Sequence, residues 1–319
     1  MSKILVTTSP FGKTSERPKA LLQSHDVVYN DMERKHTQDE LCKILSSVNP
    51  DYIIAGTEKY DRNTLCSCKN LKMISRVGIG VDGIDFDCCK ERGIVVSNTP
   101  DAPSNAVAEL TILQMLNMLR KVQNVSTALS KQDKWNRYIG RELRSCVVGV
   151  VGMGRIGKLV VDKMSSLSRN KILINDIDPN TLYENIQVAP ATIYKIFDEC
   201  DIITIHIPLN DGKINNKGFI CKHELGMMKP DVRLLNMSRG GIINEDDLYN
   251  WLKENKKACA AIDCFENEVY RGKLTKLGNA YLTPHLGSCT VDSRNAMETE
   301  ASQNVIDHIM DREIKNRVV

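Results

Sequence analysis

The stretch from Val147 to Gly157, V-V-G-V-V-G-M-G-R-I-G, constrains the fold of this 319-residue chain more than any other. Val147, Val148, Gly149, Val150 and Val151 make a short, mostly β-branched apolar run, the pattern of a strand buried on both faces. Gly152, Gly154 and Gly157 follow in the spacing G-x-G-x-x-G, and Ile156, Val160, Met164 and Leu167 then recur at helical spacing along one face. In such a strand–turn–helix unit the first glycine allows the tight turn, the second lets a pyrophosphate approach the backbone, and the third lets helix pack on strand. The unpaired N–H groups at the helix start face the anion. A second strand, Ile172 to Asn175, ends at Asp176, nineteen positions after Gly157, near where an acidic residue meets a ribose. Glycines in this spacing are common in turns. Taken with both strands, the helix and the acidic residue, they predict a dinucleotide site built from Gly152, Gly154, Arg155, Ile156, Gly157 and Asp176.

Asp176 also bears on which dinucleotide is bound. A carboxylate accepts hydrogen bonds from both ribose hydroxyls, whereas an added 2′-phosphate would face a like charge about 4 Å away, at a cost of about 1 to 4 kcal/mol. Neighbouring Asn175, Ile177 and Asp178 bring no compensating cation, so NAD rather than NADP is expected.

The length allows two domains with separate cores. Formal net charge is +3, from 43 basic and 40 acidic residues, which gives no warrant for a nucleic-acid or membrane-surface partner. The opening M-S-K-I-L-V-T-T is too short an apolar run for a signal peptide, and no run of about 18 apolar residues is present to span a bilayer. A cytoplasmic chain is the expectation. The eleven cysteines include Cys66, Cys68, Cys88 and Cys89 but no paired C-x-x-C, so no metal is called for; an odd number without a signal reads as reduced thiols, most of them core residues.

Strands are predicted at Lys3–Thr8, Asp26–Tyr29, Tyr52–Ala55, Met73–Val77 and Ile94–Ser97, with helical patterns between them, notably Gln38–Val48. Alternating β and α implies a parallel sheet with helices on its faces. No phosphate fingerprint follows the first strand, so this half repeats the nucleotide-binding architecture without its chemistry. A helix at Asn105–Val122, apolar nearly all round, is expected to be buried between domains or between subunits, and the polar–aromatic stretch Ser130–Arg144 follows it. The alternation resumes with strands at Ile202–Ile207, Val232–Met237, Ala258–Asp263 and Ala280–Thr283, a helix at Glu245–Glu254 and a last helix from about Val291 to Met310. The last helix is needed to cover the first sheet. The expected architecture is therefore α/β, with two doubly wound, Rossmann-like parallel sheets and a cleft between them. Residues 1–98 with 287–319 form a substrate domain, and 99–286 a dinucleotide domain inserted within it.

Three further stretches follow strands, at the edge where open α/β sheets bind ligands. They are Asn236-Met237-Ser238-Arg239-Gly240-Gly241, Asp263-Cys264-Phe265-Glu266-Asn267-Glu268 and Thr283-Pro284-His285-Leu286-Gly287-Ser288. With Arg76-Val77-Gly78-Ile79-Gly80-Val81-Asp82, Asn98-Thr99-Pro100, Val107-Ala108-Glu109, the glycine fingerprint and His206-Ile207-Pro208-Leu209, they make the chain resemble the D-isomer-specific 2-hydroxyacid dehydrogenases over nearly its whole length. Within that family it resembles the phosphoglycerate dehydrogenase-like branch, without a carboxy-terminal regulatory domain.

The resemblance implies a site. Arg239 matches the arginine that holds the substrate carboxylate and polarises its carbonyl, a task suited to a planar fork. His285 matches the acid/base, and Glu268 the carboxylate that orients it and favours its protonated form. His206 and Pro208 match positions lining the cofactor, and Asp263 one contacting the nicotinamide amide, with a structural cap as its alternative. The backbone of Ile79, Gly80 and Val81 is implied in capturing the substrate carboxylate as a nest of N–H groups. Arg76 and Lys59 are candidates for the charge that a phosphate-bearing substrate needs. Departures are Val269 where proline usually follows Glu268, and Gly83 where asparagine is common. The implied activity is NAD-dependent hydride transfer between nicotinamide and a D-2-hydroxyacid or 2-ketoacid, most of all of the 3-phosphoglycerate dehydrogenase kind. Glyoxylate/hydroxypyruvate reduction and a non-catalytic, NAD-sensing corepressor are the alternatives. A homodimer paired through Asn105–Val122 and the Trp135–Tyr138 segment is also implied.

Overall fold

A computed structural model describes residues 1–132, 134–135, 137–178, 188–210 and 214–319. The chain divides into two compact units, an outer one of Met1–Pro103 with Ser288–Val319 and an inserted one of Ser104–Gly287. The breaks fall at 103/104 and 287/288, against 98/99 and 286/287 in the sequence reading.

The outer unit opens with β1 (Lys3–Val6), α1 (Arg17–Leu22), β2 (Asp26–Tyr29), α2 (Gln38–Val48), β3 (Tyr52–Ala55), α3 (Arg62–Cys66), β4 (Met73–Arg76), α4 (Phe86–Arg92) and β5 (Val95–Ser97). The inserted unit follows with α5 (Ser104–Arg120), α6 (Val122–Gln132), β6 (Val148–Val151), α7 (Arg155–Leu167), β7 (Ile172–Asn175), β8 (Val188–Pro190), α8 (Ile193–Glu199) and β9 (Ile202–Ile205). It ends with α9 (Lys222–Met227), β10 (Arg233–Asn236), α10 (Glu245–Glu254), β11 (Cys259–Ile262) and β12 (Ala280–Leu282), and the chain returns to the outer unit in α11 (Val291–Ile309).

Local signals account for several of these boundaries. Thr37 and Glu40 form a reciprocal capping box at the start of α2, which buries Leu41 and Leu45 and stops at Asn49 in the left-handed region. Asp85 caps α4, and Gly93 ends it.

The outer sheet has the order β2-β1-β3-β4-β5, with each pair parallel. As the sequence requires, α11 covers it: Met297, Ala301 and Val305 pack with Ile4, Val6, Tyr52, Ile54 and Met73. The inserted sheet has the order β12-β11-β10-β9-β6-β7-β8, again parallel throughout. Its strand order reverses between β6 and β9; that of the outer sheet reverses between β1 and β3. These are the switch points at which open sheets leave a crevice.

Three details differ from the sequence reading. The helix expected at Asn105–Val122 is present as α5 but ends at Arg120, because Lys121 adopts φ 51° and interrupts the ladder, and a further helix, α6, starts at Val122. The α5 helix buries Val107, Met115, Met118 and Leu119 but leaves Leu113 59% and Leu116 40% exposed. On α7, Val160 and Met164 are core residues while Leu167 is 61% exposed, because the helix ends there and its last turn passes the edge of the core. β8 was not foreseen, since V-A-P is short and carries a proline, which only an edge strand tolerates.

No disulfide joins the eleven cysteines among the described residues, and seven are buried. Among the described residues no helix is long and apolar enough to cross a membrane.

The inner face of β6 has no room for a side chain at Gly149, where a Cβ would lie 2.5 Å from Ile196 Cγ2 and 2.9 Å from Cys200 Sγ. Gly149→Ala is expected to lower unfolding free energy by about 1–3 kcal/mol in urea denaturation, the usual cost of overpacking.

Candidate active site

The first part of the site is the turn after β6. All four residues of β6 are buried, so the strand end is rigidly placed. Gly152 has φ 91°, and a Cβ there would lie 2.6 Å from the His206 carbonyl oxygen; one on Gly157 would lie 2.0 Å from the Gly152 carbonyl oxygen. Both glycines are therefore required by the turn itself. Gly154 is different: it is the N-cap of α7, no side chain caps that helix, and a Cβ there would meet nothing within 4 Å. An uncapped helix start facing open space is an anion cradle. Asp176, at the end of β7, accepts from the Met153 N–H at 2.6 Å and the Asp178 N–H at 2.9 Å, which ties the would-be ribose carboxylate to the glycine turn. Arg155 is exposed and Ile156 half-buried at the head of α7.

His206 follows β9. Its Nε2 lies 2.9 Å from Thr204 Oγ1, and its Nδ1 is buried without a partner. Loss of hydration lowers its pKa to about 3, so the ring is neutral and unsuited to proton transfer at physiological pH. That fits a lining role, beside exposed Pro208. The orphaned nitrogen, the open space at Gly154 and the uncapped helix suit a dinucleotide.

The second part lies after β10, β11 and β12. Buried Asn236 closes the turn that carries Arg239: its amide donates to the Arg239 carbonyl at 2.8 Å and its oxygen accepts from Ser238 N–H at 3.1 Å and Oγ at 2.8 Å. Gly240 presses this turn against the next, since a Cβ there would lie 2.0 Å from the Phe265 carbonyl carbon. Arg239 is half-buried and donates to the Ser238 carbonyl at 2.7 Å.

The Asp263 carboxylate, 1% exposed, organises the turn after β12. It accepts from Thr283 Oγ1 at 2.6 Å, Leu286 N–H at 2.8 Å and Gly287 N–H at 2.8 Å, while the Asp263 carbonyl accepts from the His285 N–H at 3.0 Å. His285, held in this way, has φ 54°, a conformation that costs a residue with a Cβ about 1–2 kcal/mol. These hydrogen bonds make Asp263 a cap of this turn.

His285 Nδ1 lies 2.6 Å from Glu268 Oε1. Glu266, two residues earlier, points elsewhere and pairs with Lys217 at 2.5 Å. A hydrogen bond with the Cys264 side chain and the Glu268 carboxylate together push the His285 imidazole up to about 10. Cys264 was not singled out from the sequence, although it lies between Asp263 and Phe265 in a stretch that was; a buried thiol leaves no pattern that marks it as a histidine neighbour.

The outer unit, taken by itself, carries further residues expected from the sequence, in the turn after β4. Gly78, at φ 136°, donates to Thr99 Oγ1 at 2.8 Å, and Asn98 donates to the Ile79 carbonyl at 2.7 Å. The N–H groups of Ile79, Gly80 and Val81 have no acceptor among the described residues. Arg76 folds back on its own strand end and donates to the Val77 carbonyl, and Lys59 is 72% exposed and pairs with Asp61 at 3.8 Å.

Residues 112–287 match the model of the family described as D-isomer specific 2-hydroxyacid dehydrogenase, NAD binding domain. The chain belongs to that family. The matched residues fall within the inserted unit, Ser104–Gly287. Over 273 residues, 84% of this chain, the sequence is 34% identical to D-3-phosphoglycerate dehydrogenase of Methanocaldococcus jannaschii and covers 51% of it. Over 274 residues it is 32% identical to hydroxypyruvate reductase of Thermotoga maritima, covering 84% of this chain and 87% of that one. The chain spans about half the length of the phosphoglycerate dehydrogenases it matches. The crystal structure of NAD+-bound 3-phosphoglycerate dehydrogenase from Entamoeba histolytica aligns with a TM-score of 0.81 at 26% identity, covering 100% of this chain and 98% of that one.

The Asp263 network makes a quantitative expectation. Asp263→Ala leaves two backbone N–H groups and a hydroxyl without their charged acceptor, and is expected to cost about 2–3 kcal/mol of unfolding free energy in urea denaturation.

Proposed function

We propose that the chain is an NAD-dependent oxidoreductase acting on a D-2-hydroxyacid or its 2-ketoacid. The observation that carries this reading is the His285–Glu268 pair at 2.6 Å, set on a backbone turn that Asp263 holds in a costly conformation. The pairing sets one imidazole against one carboxylate, the arrangement an acid/base group needs.

NADH, when bound, would supply the hydride for the carbonyl carbon. His285, as imidazolium, donates its proton to the carbonyl oxygen in that reduction, and as neutral imidazole it removes the hydroxyl proton in the reverse oxidation. Glu268 orients the ring and stabilises the imidazolium. The Arg239 guanidinium binds the carboxylate and polarises the adjoining carbonyl, with hydrogen bonds to charged groups contributing about 1.5–3 kcal/mol each. The N–H groups of Ile79, Gly80 and Val81 form a second anion nest for a carboxylate. His206 stays neutral and lines the nicotinamide pocket. Asp176 selects NAD over NADP. A homodimer is part of the reading: Leu113, Leu116, Val122, Leu129, Trp135 and Ile139 are exposed apolar side chains along α5, α6 and the segment after them; residue 136 of that segment lies outside the described residues.

Arg239→Ala and His285→Ala are each expected to lower kcat at least about a hundred-fold, the scale of positioned acid–base and charge catalysis, while NADH still binds. Near-full turnover in either variant would remove that residue from the mechanism. Raising the His285 pKa from its ordinary 6.5 to about 10 leaves the ring charged through neutral pH. Reduction should therefore hold its rate through neutral pH and fall as pH passes about 10, whereas oxidation should climb towards that value; initial-rate pH profiles in both directions check it. With NADPH at equal concentration, kcat/KM should be at least about ten-fold lower than with NADH, the equivalent of about 1.4 kcal/mol of charge repulsion at Asp176.

A further inference from the structure

Glu268 sits on a loop that has little core of its own. Glu266, Asn267, Glu268 and Val269 are all exposed. Val269, at 84%, gives no apolar anchor, and no proline ring locks the backbone at that position. The loop is fastened at its two ends instead. At the first, Phe265 is buried, and the Glu266 N–H donates to Glu245 Oε1 at 2.8 Å at the head of α10. At the second, the Tyr270 ring turns back and stacks on Phe265, with centroids 4.1 Å apart and planes inclined by 15°. Gly272 lies against the phenol end of that ring, where a Cβ would come within 2.3 Å of Cζ and Oη. The phenol oxygen accepts from the N–H of buried Leu274 at 3.3 Å. Glu268 stands midway between Glu266 and Tyr270, two positions from each.

Phe265 follows Asp263, whose carbonyl accepts from the His285 N–H, and Cys264, whose thiol hydrogen-bonds with the His285 ring. Tyr270 therefore ties the Glu268 loop to the segment that carries the other contacts of the same histidine. A stacked aromatic pair sets separation and angle together, which an aliphatic contact does not. The charged side chains around the loop contribute less: Lys217 pairs with Glu266 at 2.5 Å and Lys273 with Asp246 at 2.8 Å, and exposed pairs of this kind hold little.

We propose that Tyr270 is a positioning residue for proton transfer: stacked on Phe265, it fixes the exposed loop at the place where the Glu268 carboxylate meets His285. The proposal rests on the dehydrogenase reading above and adds to it a residue that acts through another.

The test reads His285 directly. The full chain, isotope-labelled at histidine Cε1, is titrated by NMR, and the His285 signal is the one lost in His285→Gln. Within the inserted unit the Cys264 thiol and the Glu268 carboxylate both favour the charged ring, so Glu268 accounts for part of its stability. Tyr270→Ala, which frees the loop, should lower the titration midpoint by about one pH unit, an about ten-fold loss of imidazolium stability. Tyr270→Phe, which keeps the stack, should titrate as the wild type does. In a Glu268→Gln background the midpoint starts lower, and Tyr270→Ala should move it no further, because the two residues act in series. In initial-rate profiles of 2-ketoacid reduction the alkaline limb should move to lower pH by the same amount, with KM for NADH unchanged. Tyr270→Leu, which keeps apolar bulk without a stacking face, replaces the alanine variant if thermal melting shows that one unfolded. An unchanged midpoint in the alanine or leucine variant, or one lowered as much with Glu268→Gln as without it, overturns the proposal. The titration needs no turnover: if no 2-ketoacid is reduced, the dehydrogenase reading fails, and the midpoints still decide for or against Tyr270.

Discussion

Parallel pairing of β6 with β9 is the constraint on which the dinucleotide half depends. Val148 to Val151 run in register with Ile202 to Ile205 on one side and with Ile172 to Asn175 on the other. All these strands therefore end at one edge, and their chains depart to opposite sides at the β6/β9 boundary. That departure opens the space at Gly154, and the closeness of the two strand ends forces glycine at 152, whose Cβ would strike the His206 carbonyl. The turns bearing Arg239, Glu268 and His285 reach the same edge because β10, β11 and β12 continue the parallel order. The outer sheet repeats the arrangement at β1/β3, where Thr7 and Glu58 meet.

Surroundings, rather than residue type, separate the two histidines of the inserted unit. His206 loses its hydration and gains only a hydroxyl, so the charged ring is disfavoured. His285 gains the Cys264 and Glu268 side chains, and these outweigh its own desolvation. Two imidazoles are thereby set on opposite sides of neutrality, the separation by environment that acid–base sites use.

Much of this was legible in the sequence. The β-branched runs, the 3.6-residue periodicity of α2 and α10 and the glycine spacing are local signals, and local sterics and periodicity act before any tertiary contact forms. The boundary at Lys121, the edge strand β8 and the exposure of Leu167 were not legible, because each depends on where a neighbouring element stops. Within the site, Arg239, Glu268 and His285 were recognisable from the stretches around them. Cys264, Thr204 and Asn236 were not, since their importance lies in partners far away in the chain or in turns whose closure no period announces.

The sequence by itself determined the alternation of strands and helices, the dinucleotide turn, and the residue types able to hold a carboxylate and move a proton. These follow from steric limits on glycine, from side-chain periodicity and from intrinsic acidity, all properties of short segments. Only the tertiary structure decided that Asp263 braces the turn after β12, that His206 is neutral and His285 charged, and that the Glu58 carboxyl group is buried at the outer switch point. Those outcomes depend on desolvation and on hydrogen bonds between distant segments, and neither exists until the sheets have formed.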